Sequence, residues 1–170
     1  MSAKEGFFRK VQENQNNKKD QLSQVKADVT FFRSAMFDLT KQIETWLDGS
    51  GVQVVTTEQH INDESISFID GCEALSTYKI AVCTMQNGPK VAVVKPASVY
   101  GGTASKGWAS LTIDTPNRAP RIQRFLLRLG EGGTWTVRND DMPTNMHDSL
   151  DKQEYKLTEE NFFQAIQPLA

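Results

Sequence analysis

Phe8, Val11, Leu22, Val25, Val29, Phe32, Met36, Leu39, Ile43 and Trp46 follow one another at alternating steps of three and four, interrupted only where Gln15 and Lys18 take two steps of the ladder. That spacing holds its members on one narrow seam of an α-helix, which must press the seam against another surface. Ser2 and Glu5 match a capping box, so the helix is expected to begin almost at the first residue. Asp48-Gly49-Ser50-Gly51 is expected to end it, because glycine accepts the left-handed conformation found past helix ends. A continuous helix from 3 to 48 is about 65 to 70 Å long, roughly twice the width of a small domain. One end must project, bend, fray or meet another chain.

Phe31, Phe37 and Leu47 add apolar surface beside the seam, a width that suits a helix lying on a sheet. The C-terminal half is therefore expected to pack within its own domain. Residues 12 to 21, QENQNNKKDQ, hold no apolar side chain, and their asparagines are poor helix formers. This stretch is read as a projecting arm, a break between two helices, or disorder. The chain divides accordingly into a polar helical arm or flexible segment, 1–21, and a single α+β domain, 22–170.

From Val52 to Arg138 the pattern changes to short β-rich runs at 52–58, 64–69, 77–85, 90–95, 107–113, 121–129 and 134–138. Strands that follow one another without helices between them predict an antiparallel meander of six to seven strands. Asn87-Gly88 is the strongest hairpin signal. A loop at Glu131-Gly132-Gly133 would pair Leu129 with Trp135 and Leu127 with Val137, which turns Phe125, Leu127 and Leu129 inward and leaves Ile122, Arg124, Leu126 and Arg128 on the other face. That second face is too apolar for plain solvent exposure. Thr158 is a good N-cap for a second helix running to about Gln167, with Glu159 and Glu160 in its first turn and Leu157 and Phe162 as a hydrophobic staple. The fold class is α+β: a long N-terminal helix, an antiparallel meander, and a short C-terminal helix on the sheet.

Composition adds little to this picture. The hydrophobic fraction of 38% and charged fraction of 24% are those of a globular domain. No run reaches the roughly 18 apolar residues of a membrane span, and MSAKEGFFRK lacks a signal peptide's apolar core, so a cytoplasmic location is expected. Two cysteines without a CxxC pair fit a reducing compartment. The net charge of -2 conceals an asymmetry, since residues 101–138 are basic and 139–170 acidic. The expectation is that the acidic tail folds back on the basic strands.

Candidate chemistry is sparse. GGTASKG at 101–107 fails as a phosphate loop, because its lysine precedes the last glycine and a strand follows where a helix is needed. His147, Asp148 and Asp151, with Asp140 and Asp141, have the spacing of neither a zinc nor a calcium site. His60 lies near Glu58, Asp63 and Glu64, but sequence proximity supplies neither an orienting partner nor a nucleophile. Cys83 lies in an apolar strand and reads as packing, whereas Cys72, in a loop, is expected to be exposed. No catalytic constellation, metal or cofactor is expected.

The reading is a non-enzymatic protein-interaction protein of adaptor, chaperone or inhibitor type. Its expected contact residues are Phe8, Val11, Leu22 and Val25 on the helix and Arg121, Arg124 and Arg128 on the sheet. The partner is another protein or a second copy, and in a parallel pair Asp28 and Arg33 would attract across the seam. The alternative is a small-ligand carrier with a pocket lined by Phe31, Phe32, Met36, Phe68, Trp108 and Trp135. A third reading, nucleic-acid binding through the arginine-bearing strands, is disfavoured by an acidic pI of about 5.7.

Overall fold

The computed structural model describes residues 2–102, 104–140 and 154–170. Helix α1 runs unbroken over Ala3–Leu47, about 68 Å at 1.5 Å per residue. Its start is the capping box: the Ser2 side chain accepts from the Glu5 N–H at 3.1 Å, and Glu5 accepts from the Ser2 N–H at 2.9 Å. The asparagine-rich stretch neither breaks nor bends out of helix. Propagation from a formed helix costs far less than nucleation, which explains why poor formers are carried along.

Seven strands form one antiparallel sheet in chain order: β1 Gln53–Asn62, β2 Thr77–Asn87, β3 Lys90–Ser98, β4 Gly107–Asp114, β5 Ile122–Leu129, β6 Trp135–Asn139 and β7 Tyr155–Lys156. The β5–β6 register is Leu129 to Trp135 and Leu127 to Val137, as the inward apolar face requires. Residues 64–69, expected as a strand, instead hold the short helix α2, Glu64–Ser67. Asp63 caps it by accepting from the Ser65 N–H, and alternation over so few residues could not outweigh that cap. The two-residue turn of the β2–β3 hairpin is Gly88-Pro89, since Asn87 pairs with Lys90; the expected Asn87-Gly88 turn is one residue too early. Gly88, at φ 60, takes the first central position, the place for a glycine in this type of turn.

The core lies between α1 and the sheet. Val25, Val29, Phe32, Met36, Leu39, Ile43 and Leu47 of α1 are buried against Met85, Ala92, Val94, Ala109, Leu111, Ile113, Leu127 and Leu129. Phe31 and Phe37, expected to widen this face, are exposed. A seam of 3.5-residue period drifts around a straight helix of 3.6, so Leu47 takes the buried place at the end and the ladder's Trp46 is only half-buried. Helix α3, Glu159–Ala165, is capped by Thr158 and seats Phe162 with its ring centroid 5.1 Å from that of Trp46.

The sheet opens between β2 and β3, and a proline accounts for it. With Asn87 and Lys90 bonded across the turn, bonded rungs continue at Met85–Ala92 and Cys83–Val94, so the next would join Ala81 to Pro96. Pro96 has no N–H to give, and the pairing stops at Cys83. The freed edge of β2 is answered from α1, where Arg33 Nε donates to the Lys79 carbonyl at 2.6 Å. On the far side, the segment from Asp63 to Ser76 folds over the opening and is pinned by the buried Asp63 carboxylate. That carboxylate accepts from the Ser65 N–H and Oγ, from Tyr78 Oη at 2.7 Å and from the Val99 N–H at 2.8 Å.

Among the glycines, Gly107 lies closest to a neighbouring side chain, that of Phe32. A Cβ at Gly107 would stand 2.2 Å from Phe32 Cδ2, well inside contact distance. Gly107→Ala is expected to destabilise the fold by about 1 to 3 kcal/mol through overpacking, while the far-ultraviolet circular dichroism stays that of the parent. An unchanged denaturant midpoint would show that the ring moves aside without cost.

Candidate functional site

The expected contact residues separate into two groups when placed on the fold. On α1, Val25 is buried in the chain's own core and Leu22 is half-buried at its margin, so their seam faces the sheet and not a partner. Every residue from 7 to 21 is exposed. The outermost turns carry Phe7 (63% exposed), Phe8 (57%) and Val11 (39%), a cluster in which the two rings lie 6.2 Å apart and Lys4 Nζ stands 5.5 Å over the Phe8 ring. Phe7 lies off the seven-residue ladder, which is why periodicity alone passes over it. Projected at 3.6 residues per turn, Phe7, Lys18, Val11, Lys4, Leu22, Gln15 and Phe8 share an arc of about 100°. Glu5, Glu13 and Asp20 lie on other faces.

The proposed attraction between Asp28 and Arg33 across a helix pair does not arise from this geometry. Asp28 is buried, accepts from Gln24 Nε2 at 2.9 Å and Tyr100 Oη at 2.6 Å, and has Lys106 Nζ 3.9 Å away. Arg33 is turned to β2. Asp28, Tyr100, Ser65 and Asp63 form one polar chain, because the Tyr100 N–H donates to Ser65 Oγ at 3.1 Å. Burial, reinforced by the hydrogen bonds to Asp63 and Asp28, holds the Tyr78 and Tyr100 phenols well above their usual range. These carboxylates serve as acceptors that join three segments.

On the sheet, the arginines are engaged within the chain. Arg121 Nε donates to Asp114 at 2.7 Å. Arg128 makes a two-pronged pair with Glu154, 2.8 Å on each arm, and its Nη1 donates to the Ala104 carbonyl. This pair brings the acidic tail back to the basic strands at one point. Arg124 is exposed on the same outer face, its carbonyl accepting from the Asp140 N–H. Ile122, 49% exposed, neighbours them.

The remaining candidates fall apart spatially. Cys72 is buried, contrary to its loop position, because the loop folds inward over β2; Cys83 is buried too, and both are free thiols. Burial pushes the Cys83 thiol up to about 11. His60 is exposed on β1, while Asp63 points into the interior. Lys106 faces Asp28. Asp141, His147, Asp148 and Asp151 lie outside the described residues, among which no cluster of three or more His, Cys, Asp or Glu is disposed to hold a metal. Of the six residues expected around a ligand, Phe32, Met36 and Trp135 are buried, Phe31 is exposed, Phe68 protrudes at 85% exposure, and Trp108 turns its indole N–H to Gly101 and Ser105. Phe31 and Trp135 border one groove with Ala35, Leu39 and Gly133, and the other four are not part of its lining. No helix among the described residues is long and apolar enough to cross a membrane.

No protein-family model matches the chain, and neither a curated protein nor a solved structure does.

The Arg128–Glu154 pair gives a pH test of the tail's attachment. Its hydrogen bonds from Arg128 hold the Glu154 carboxyl below its ordinary value, so the pair contributes stability above the usual carboxylate range and loses it as pH falls through the lowered value. Glu154→Gln is expected to cost about 1 kcal/mol or less at neutral pH, with the gap to the parent closing once the pH is brought well below the usual carboxylate range. Melting temperatures that differ equally at both pH values would refute the linkage.

Proposed function

We propose that this is a binding protein that grips another protein through the projecting first half of α1. One observation carries the reading: a helix whose second half fills the core continues past it for roughly 30 Å and ends in an exposed cluster of Phe7, Phe8 and Val11. The interior does not need those side chains, and three large apolar groups on one arc are the usual anchors of a helix laid into a groove. The arc also carries Lys4 and Lys18 and no carboxylate, which fits a groove that is apolar at its floor and acidic at its rim. The sheet supports a lesser role for the arginine-bearing face. Arg121 and Arg128 already hold carboxylates of this chain, which removes much of the charge a nucleic acid would seek.

The test is quantitative co-purification from the source organism using the full chain, a chain lacking residues 2–21, and the Phe7→Glu/Phe8→Glu variant. A partner enriched by the full chain, released by added salt and reduced at least about tenfold by either change is expected, since two buried aromatic anchors contribute well over 1.4 kcal/mol. The same partner retained by all three proteins would refute the reading.

A further inference from the structure

We propose that β1 is a self-pairing edge: two copies of the chain join β1 to β1 antiparallel, merging their sheets across a two-fold axis at Thr57. The strand registers show which main-chain groups of β1 have no partner among the described residues. Lys79 turns its carbonyl away from β1 to Arg33, so the His60–Lys79 rung is a non-bonded one, in agreement with the phase set by the Gly88-Pro89 turn. Gln53, Val55, Thr57, Gln59 and Ile61 therefore bond to β2, and Val54, Thr56, Glu58 and His60 point their N–H and C=O groups off the sheet. β1 is the sheet's outermost strand, ten residues long, whereas the opposite edge, β7, has two. It contains no proline, no lysine and no bulge, the devices that keep an edge from pairing.

Symmetry and charge then choose the register. Outward-pointing residues must meet outward-pointing residues, which leaves two pairings close to the middle of the strand. One sets Glu58 directly opposite Glu58 of the second copy. The other centres on Thr57 and places Thr56 opposite Glu58, Val54 opposite His60 and Val55 opposite Gln59, with no like charges facing.

Two exposed hydrophobic side chains flank this same axis on opposite faces. Val55, 56% exposed, lies on the outer face two residues from Thr57. Phe37, 48% exposed, shares a groove with Glu58, Thr30 and Ala81 on the face that α1 covers. A two-fold perpendicular to the sheet puts both copies of α1 on one side, so each Phe37 approaches its counterpart above the joint, while each Val55 is covered below it. A second copy satisfies the edge and both apolar groups together, and it leaves the residue 3–21 arm unused.

The experiment measures mass in solution by sedimentation equilibrium on the full chain, on four single-residue variants and on a chain lacking residues 2–21. The parent is expected to dimerise. Glu58→Pro removes one outward N–H without touching the β1–β2 ladder and is expected to give a monomer of parental circular dichroism. Thr57→Lys sets two ammonium groups face to face and is expected to give a monomer at low salt with partial recovery at high salt. Thr57→Cys, on the axis in a non-bonded pair, is expected to form an intermolecular disulfide with oxidised glutathione, while Val55→Cys does not. Both native thiols are buried and stay silent. A parent that remains monomeric at its highest soluble concentration overturns the proposal. So does a dimer that survives both Thr57→Lys and Glu58→Pro, or one that dissolves only when residues 2–21 are deleted.

Discussion

A buried carboxylate decides how this domain closes. Where β2 and β3 part, a gap opens in the sheet beside the core, and the chain covers it with a 14-residue detour from Asp63 to Ser76 that contains only one short helix and one turn of 3-10 helix. The backbone hydrogen bonds of this segment close turns within it, and none of them reaches β3. Asp63 supplies what is missing by joining the detour's first turn, the start of β2 and the backbone just past β3 at one point, fully removed from water. A buried charge is tolerated only when its oxygens are fully hydrogen-bonded, so the arrangement is all or nothing. The polar chain then extends through Ser65 and Tyr100 to Asp28, fixing where α1 leaves the domain. The path of the helix and the opening in the sheet are thus one structural event.

The core follows from that placement. With Asp28 held by Tyr100 and Arg33 by Lys79, the α1 seam from Val25 to Leu47 can meet the sheet in only one rotation. Phe32 then lands on Gly107, the one strand residue without a side chain in its way.

What periodicity could show, the sequence made plain: the second half of the long helix, the cap at its start, the order of strands, the β5–β6 register and the final helix all rest on neighbours within a few residues. Misplaced features depend on distant ones. Asp63 looks like a turn residue until Tyr78 and Val99, 15 and 36 positions away, are brought beside it. Residues 64–69 alternate as a strand would, yet the cap at Asp63 outweighs three apolar side chains. Cys72 is buried for the same reason, since a loop reads as exposed unless something distant in sequence folds it inward. Phe31 and Phe37 read as core because their chemistry suits it, and only the docking angle of α1 leaves them outside. At the arm, Phe8 and Val11 were legible from the ladder, but Phe7 was not.

An isolated 20-residue peptide of the arm's composition would be mostly unfolded in water, because starting a helix costs more than any one of its turns returns. Attached to a helix already formed in the core, the same residues meet no such threshold, and the Ser2–Glu5 box closes the far end. Whatever contacts Phe7 and Phe8 meets a ligand whose backbone order was settled when the domain folded. Less conformational entropy is lost on contact, so a small number of anchors can give an affinity that a loose tail of the same sequence would not reach.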